Sequence, residues 1–250
     1  MELKKQIINC FNSGAYTYNA AADIQQIVAL RLAEQLASVN ANTVLEMGCG
    51  TGLFSQYVLA SFPQAKICLM DIAPLMVQVC QQRFSAYPNI VTECQDGETF
   101  LTSDHYDLIV SSMTLHWFTD FYTSLKKLMD KLNSSGKCIF AMLGENSLSE
   151  WRAVCQIDSA CHPTPKFPAV AAIKNAFPDL ELSVEVTRIA YSDTYQFLKT
   201  LKLLGATAAD INHITLSSGR LRKLMRALDQ TQEGKIDISY EIIYGSYTKP

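Results

Sequence analysis

Val44-Leu45-Glu46-Met47-Gly48-Cys49-Gly50-Thr51-Gly52 decides the fold: a short apolar run closes on an acid and passes into three alternating glycines. Such a run, followed by an amphipathic stretch, reads as a buried strand, a tight turn and a helix. Glycine is needed there because the backbone must bend sharply and approach a ligand that a side chain would exclude. A dinucleotide fingerprint would carry its third glycine at position 53, which is Leu53. The spacing G-x-G-x-G with Glu46 two residues ahead favours a ligand carrying an ammonium group, since a carboxylate there repels phosphate. The loop alone also admits a simpler reading, a glycine turn that only lets a helix pack on a strand.

On either side of the loop, residues up to 145 alternate between short apolar runs and amphipathic stretches, the mark of a parallel, doubly wound sheet. The pattern predicts a helix over 20–38, strand Thr43–Met47, helix Leu53–Ser61, strand Lys66–Asp71 and a helix from Pro74 to about Phe84. A weak strand over Ile90–Glu93 follows, then strand Tyr106–Ser112, helix Asp120–Leu132, a turn at Asn133–Gly136 and strand Lys137–Leu143. Beyond 145 the rhythm changes. Helices are expected at about 147–160, 168–177, 193–205 and 217–229, with strands Leu182–Tyr191 and Ile236–Tyr247 between and after them. The last strand suits antiparallel pairing, and the helices suit a cap over the C-terminal edge of the sheet.

One domain accommodates all of this. Its parts are an N-terminal lid and first helix over 1–38, a ligand-binding core over 40–145, helical cap insertions over 146–235 and a final strand over 236–250. The 250 residues carry 21 Lys+Arg against 24 Asp+Glu, and 48% are apolar, which excludes a disordered or disulfide-stapled chain. A net charge of −3 gives no general reason to expect nucleic acid or an anionic membrane as partner. The eight cysteines show no C-x-x-C and no paired cluster, so they read as reduced thiols in a cytoplasmic protein without a metal site. Cys155, Cys161 and His162 lie close in sequence but lack a second ligand pair. No secretory signal and no apolar stretch of membrane-spanning length is apparent.

Two further acids strengthen the ligand reading of the glycine loop. Asp71 closes the second strand about 20 residues after the glycines, where a carboxylate can accept both hydroxyls of a ribose. Asp96 follows the third strand and can accept from an adenine amino group, with Ile72 and Met76 as apolar walls. Singly, each acid is as readily a helix cap or a solvated loop residue. Together with Glu46 they sketch a site for S-adenosylmethionine (SAM), whose amino acid end is cationic.

Residues 43–145, with LEMGCGTG, MDIAPLM, QDGE and YDLIVSS, resemble the class I SAM-dependent methyltransferases. That resemblance implies a Rossmann-like α/β fold with a seven-stranded, mostly parallel sheet, its last strand antiparallel, and a helical cap or lid. It implies SAM contacts at Glu46, Gly48, Gly50, Asp71, Ile72, Asp96, Gly97 and Ser111, with S-adenosylhomocysteine as product. The rest of the chain resembles a narrower family, the malonyl-[acyl-carrier protein] O-methyltransferases of biotin synthesis (BioC). Phe11–Tyr18 with Ala22-Asp23-Ile24-Gln25 is similar to that family's N-terminal segment, and GENSLSEW over 144–151 to its G-x-x-S-L-x-E-L. Residues 201–207 resemble its S-L-K-x-x-G-A-T, and Ile238–Gly245 its closing strand. SSMTLHW over 111–117 resembles its S-N-x-x-x-Q-W stretch, with Ser112 and His116 standing where Asn and Gln are commoner. Asn133-Ser134-Ser135-Gly136 departs from the usual K-P-G-G turn.

A malonyl carboxylate, on a carrier protein or on coenzyme A, is already ionised at neutral pH and needs no general base. The protein must place it in line with the methyl group and keep water out. Phe11, Tyr16 and Tyr18 are candidates for a lid over the cofactor, or equally for the packing of a first helix. Tyr18 and His116 are the candidate catalytic donors; Trp117, Arg152, Lys199 and Lys202 are candidate substrate contacts. Neutral donors suit the reacting oxygens, because a full cation there stabilises the ground state. Residues 199–226 hold Lys199, Lys202, Arg220, Arg222, Lys223 and Arg226 against Asp210, a local charge of +5. Leu221, Leu224, Met225 and Leu228 share one face of the expected helix, leaving Arg220, Arg222, Lys223 and Arg226 to dock an acidic carrier protein or simply to face solvent. Rival readings are a methyltransferase for a small polycarboxylic acid such as trans-aconitate, and a SAM-fold assembly factor.

Overall fold

The computed structural model describes residues 2–100, 102–156, 166–206, 217–232 and 234–250. The chain opens with α1 (Glu2–Gly14), α2 (Tyr18–Ala21) and α3 (Asp23–Glu34), then alternates β1 (Thr43–Met47), α4 (Ser55–Ser61), β2 (Lys66–Asp71), α5 (Pro74–Arg83) and β3 (Ile90–Cys94). It continues through β4 (Tyr106–Ser112), α6 (Phe121–Asp130), β5 (Leu132–Leu143), α7 (Ser149–Cys155) and α8 (Val170–Ala176). The closing elements are β6 (Glu181–Tyr191), α9 (Thr194–Leu203), α10 (Ser218–Asp229) and β7 (Ile236–Thr248).

The strands form one seven-stranded sheet in the order β3-β2-β1-β4-β5-β7-β6. β7 runs antiparallel to both its neighbours, and the other contacts are parallel. Because β1 and β4 are covered on both faces, their sequences are near-continuous apolar runs rather than alternations. Period 2 divides the buried residues between two cores. Val44, Leu108 and Val110 pack with α3, α4 and the helices α7, α9 and α10, while Leu45, Ile109 and Phe140 pack with α6 and α8. The strand order reverses between β1 and β4, and their C-terminal ends open there into a crevice, the usual ligand edge of such a sheet.

Several local expectations change in the structure. The helix expected over 20–38 is interrupted at Ala22, whose ψ of 39° takes it out of helical geometry, and its end tightens into a 3-10 turn over Gln35–Ser38. α1 is an additional helix. Leu53 belongs to the glycine turn, so α4 begins at Ser55. Asp120 caps α6 from outside by accepting from the Thr123 N–H at 3.1 Å. The turn at Asn133–Gly136 is a bulge inside β5: pairing with β4 passes from Leu132 to Lys137, and Ser135 takes φ 63°. Only α7, α9 and α10 join the cap-side core; α8 crosses the opposite face, where Ile173 packs beside Leu180. Residues 157–160 of the expected helix, and Cys161 and His162, lie outside the described residues. Among the described residues Cys49, Cys68, Cys80, Cys94 and Cys138 are free thiols. Among the described residues no helix is long and apolar enough to cross a membrane.

The N-terminal segment is fastened to the cap by a close backbone approach. Gly205 has φ 70°, and a Cβ there would lie 2.4 Å from the Cys10 carbonyl oxygen. Gly205→Ala therefore combines left-handed strain with a backbone clash and is expected to cost about 2 kcal/mol. For a chain of this size that lowers the melting temperature by about 4–8 °C, measurable by differential scanning calorimetry. An unchanged melting temperature would show that α1 is not clamped there.

Candidate active site

The chain leaves β1 through three left-handed glycines, Gly48 at φ 77°, Gly50 at φ 52° and Gly52 at φ 81°. The Gly48 and Cys49 N–H groups donate to the Met70 carbonyl at 2.7 and 2.9 Å, tying the loop to the end of β2. Two of the glycines make room for protein. A Cβ at Gly48 would strike Thr114 at 2.2 Å, and one at Gly52 the Phe84 ring at 2.4 Å. Gly50 differs: a Cβ there would have nothing within 4 Å, because this glycine borders the crevice.

The crevice spans about 930 Å³, including the part open to solvent. The Glu46 side chain lies at its base, 1% exposed, and neither carboxylate oxygen has a hydrogen-bond partner among the described residues. Burial raises its pKa to about 8, with the Ser55 hydroxyl pulling the other way and the Asp71 charge adding to the rise. Asp71 is held by the backbone: Oδ2 accepts from the Gly50 N–H at 2.9 Å and Oδ1 from the Ala73 N–H at 2.8 Å. Each oxygen keeps lone-pair capacity for a further donor. Ile72 and Met76 form an apolar wall, followed by Asp96 and Gly97 after β3.

The N-terminal helices cover the opening. Lys4 reaches Asp96 Oδ2 at 2.5 Å and Glu98 Oε2 at 2.6 Å. Glu98 Oε1 in turn accepts from the Asp120 N–H at 2.7 Å, so one lysine joins α1 to two loops of the sheet edge. Phe11 meets Trp117 edge-on with ring centres 5.4 Å apart. Asn12 Oδ1 caps the start of α5 by accepting from the Leu75 N–H at 2.9 Å, and the Thr51 hydroxyl donates to Asn19 Oδ1 at 2.6 Å. Tyr18 also lines the crevice, and desolvation together with the charge of Asp71 keeps its phenol well above the usual range and therefore protonated.

Other expected site residues lie elsewhere. Tyr16 is 72% exposed and outside the crevice. Ser111 is turned inward, donating to the Met47 carbonyl at 2.9 Å, and its neighbour Ser112 borders the crevice instead. His116 is buried behind the wall: Nδ1 accepts from the Leu143 N–H at 3.4 Å, and its ring packs edge-on against Phe167. Burial lowers its pKa to about 3, so it is neutral and structural, and Trp117 is the residue of that turn that faces the crevice. Arg152 donates to the Glu145 carbonyl and lies over the Phe167 ring, away from the crevice. Lys199 and Lys202 are exposed on α9. Arg220, Arg222, Lys223 and Arg226 are exposed on α10, whose buried side carries Leu224 and Leu228.

Sequence reading missed Lys4 and Gln25, both of which line the crevice. Lys4, Ile7 and Phe11 share one face at helical spacing, a signal that was available. Gln25 stands three, four and seven residues before the buried Val28, Ala29 and Leu32, so it is a polar residue on an apolar stripe.

An unpartnered buried carboxylate, an open glycine and a second acid with spare acceptors fit the ammonium, backbone and ribose of SAM. A sheet of this order with that constellation at its C-terminal edge defines a class I SAM-dependent methyltransferase. A family model described as "Methyltransferase domain" matches residues 44–136. A putative methyltransferase structure from Bacillus halodurans superposes with TM-score 0.63 at 11% identity, covering 89% of this chain and 98% of that one. The malonyl-[acyl-carrier protein] O-methyltransferase of Magnetococcus marinus is 31% identical over 242 residues, 94% of this chain and 89% of the relative. The biotin biosynthesis bifunctional protein BioCD of Bordetella avium is 30% identical over 250 residues, 98% of this chain and 53% of that longer protein. The chain belongs to the malonyl-[acyl-carrier protein] O-methyltransferase family.

Glu46 makes this site pH-sensitive. Its carboxyl holds its proton to higher pH in the folded chain, about 8, than at the ordinary 4.5. The folded state thus binds more protons across that window, and stability without ligand falls as pH rises through it. Glu46→Gln should raise the melting temperature of the ligand-free protein more at pH 9 than at pH 5, while weakening S-adenosylhomocysteine binding about a hundredfold. Thermal melts and calorimetric titration check both effects; an equal stability change at the two pH values would refute the assignment.

Proposed function

We propose that this protein methylates the free carboxylate of a malonyl thioester borne on an acyl-carrier protein, a step of biotin synthesis. The observation that carries this reading is the likeness to the Magnetococcus marinus enzyme, which spans the N-terminal lid and the cap as well as the cofactor core.

When bound, SAM supplies an activated methyl group. Glu46 holds the cofactor's ammonium, Asp71 its ribose hydroxyls and Asp96 the adenine edge, with Ile72 and Met76 against the base. Gly50 allows the backbone to approach. The protein supplies no proton acceptor for the chemistry, since a malonate carboxylate at neutral pH is already the nucleophile. Tyr18 donates to that carboxylate as a neutral phenol, which orients it without the ground-state stabilisation a cation brings. Phe11 and Trp117 exclude water over the reacting atoms, so the carboxylate loses its hydration shell before attack. Lys4, the cation that lines the crevice, is held by Asp96 and Glu98, and the candidate substrate and docking cations on α9 and α10 stand outside it.

Recognition of the carrier protein falls to α10, where Arg220, Arg222, Lys223 and Arg226 are exposed while the apolar face is buried. An acidic helical partner complements such a surface and gains on-rate from it. Intact-mass analysis of malonyl-acyl-carrier protein after incubation with SAM should show one added methyl group, formed faster than on malonyl-CoA or trans-aconitate. The double variant R222E/K223E is expected to lower kcat/KM for the carrier-protein substrate by about tenfold or more, with turnover of malonyl-CoA unchanged. Equal losses on both substrates would remove docking from α10, and methyl transfer only to the free acids would overturn the substrate reading.

A further inference from the structure

Four buried side-chain atoms among the described residues lack a hydrogen-bond partner: Gln25 Oε1, Glu46 Oε1, Glu46 Oε2 and Ser55 Oγ. Three of the four are amide or carboxyl oxygens, on two residues that line the same crevice. The fourth, Ser55 Oγ, lies close enough to Glu46 to favour its ionised form. Buried acceptors without donors are costly, and their concentration at one place, among described residues otherwise well satisfied, marks a position awaiting donors. Glu46 provides two of these oxygens from the end of β1; Gln25 provides the third from α3, a helix outside residues 44–136 that the family model matches.

Gln25 is also out of place by the logic of its helix. It shares the stripe of Val28, Ala29 and Leu32, each fully buried, where a leucine or methionine would pack without leaving an amide oxygen unpaired. Glu46 accounts for one or two donors of a bound ammonium group. An ammonium has three N–H donors, and a carboxylate approached from one side leaves at least one of them to be met by another acceptor.

We infer that Gln25 is a cofactor-anchoring residue: its amide oxygen accepts from the ammonium group at the amino acid end of SAM or S-adenosylhomocysteine, completing the acceptor set begun by Glu46. The assignment rests on the SAM-site reading above and extends it to the N-terminal helices. It makes the lid part of the cofactor site, because α3 follows α2 directly and Tyr18 of α2 borders the same crevice. The ammonium then joins the lid to the end of β1, and its loss frees both.

Calorimetric titration of the full chain with two probes tests this. The probes are S-adenosylhomocysteine and its deaminated analogue, which keeps the adenosine, thioether and carboxylate but lacks the ammonium. Gln25→Met fills the same space without the acceptor. It should weaken S-adenosylhomocysteine binding about tenfold while leaving the analogue's affinity unchanged, and thermal melts should show the fold intact. Gln25→Glu keeps an acceptor and is expected to hold S-adenosylhomocysteine within about threefold of the unaltered protein. The inference is overturned if Gln25→Met binds S-adenosylhomocysteine normally, or loses both probes equally. It is also overturned if Gln25→Glu is the weaker of the two variants, since that outcome makes Gln25 a donor to a carboxylate. Failure of the unaltered protein to bind S-adenosylhomocysteine overturns the underlying SAM-site reading instead.

Discussion

The structure is organised around a carboxyl group that has been taken out of water, with the Ser55 hydroxyl as the one neighbour among the described residues that favours its charge. Glu46 stands on β1, an interior strand with parallel neighbours on both sides, and its own strand neighbours Leu45 and Met47 point into the opposite core. In the ligand-free chain that burial is unfavourable, and its raised pKa is the visible sign. The glycine turn follows from the same requirement. Three left-handed residues fold the backbone away from the strand end, so the carboxylate meets a crevice rather than a side chain. Asp71 fixes the turn from the next strand by accepting the Gly50 N–H. A site of this kind stores instability that a cationic ligand relieves, which makes ligand binding and stability one quantity.

The lid is attached at several points of different chemistry. Lys4 is ionic, Asn12 and Asn19 are hydrogen-bonded, Phe11 is aromatic, and Gly14 and Gly205 bring the backbones of α1 and the end of α9 together. Exposed ion pairs contribute little singly, but the Lys4 carboxylates are partly buried and one of them also caps the loop before α6. Movement of α1 therefore requires several small losses at once.

Much of the fold was legible because its signals are local. The buried strands at Thr43–Met47, Lys66–Asp71 and Tyr106–Ser112 are apolar runs bounded by turn residues, and the structure places their ends at the residues read from sequence. α1 was not among the expected helices; of the polar residues that break its apolar run, Asn12 caps α5 and Ser13 donates to the Cys10 carbonyl. The bulge in β5 was read as a turn for a similar reason. Asn133–Gly136 has turn chemistry, but Asn133 is held to Asp107 across the sheet, which keeps the strand continuous around it. Acids at strand ends were found by spacing. His116 was misplaced because residues 115–117 form a single 3-10 turn, and such a turn sends adjacent side chains to different sides.

The division of charge across the molecule follows from the reaction class. Transfer to an anionic oxygen gains nothing from a base and loses rate to a strongly bound counter-ion at the nucleophile. His116 illustrates the outcome: burial holds it neutral beside the crevice, and Tyr18, which lines the crevice, is a phenol that also keeps its proton. Positive charge is instead gathered on an exposed helix that shares its apolar side with α7 and α9. In the proposed function it acts over the distance of encounter, where a few unit charges on one face alter association most and leave the barrier to methyl transfer untouched. In the proposed function the two demands of an acidic macromolecular substrate with an anionic reacting group fall to different elements, so that neither compromises the other.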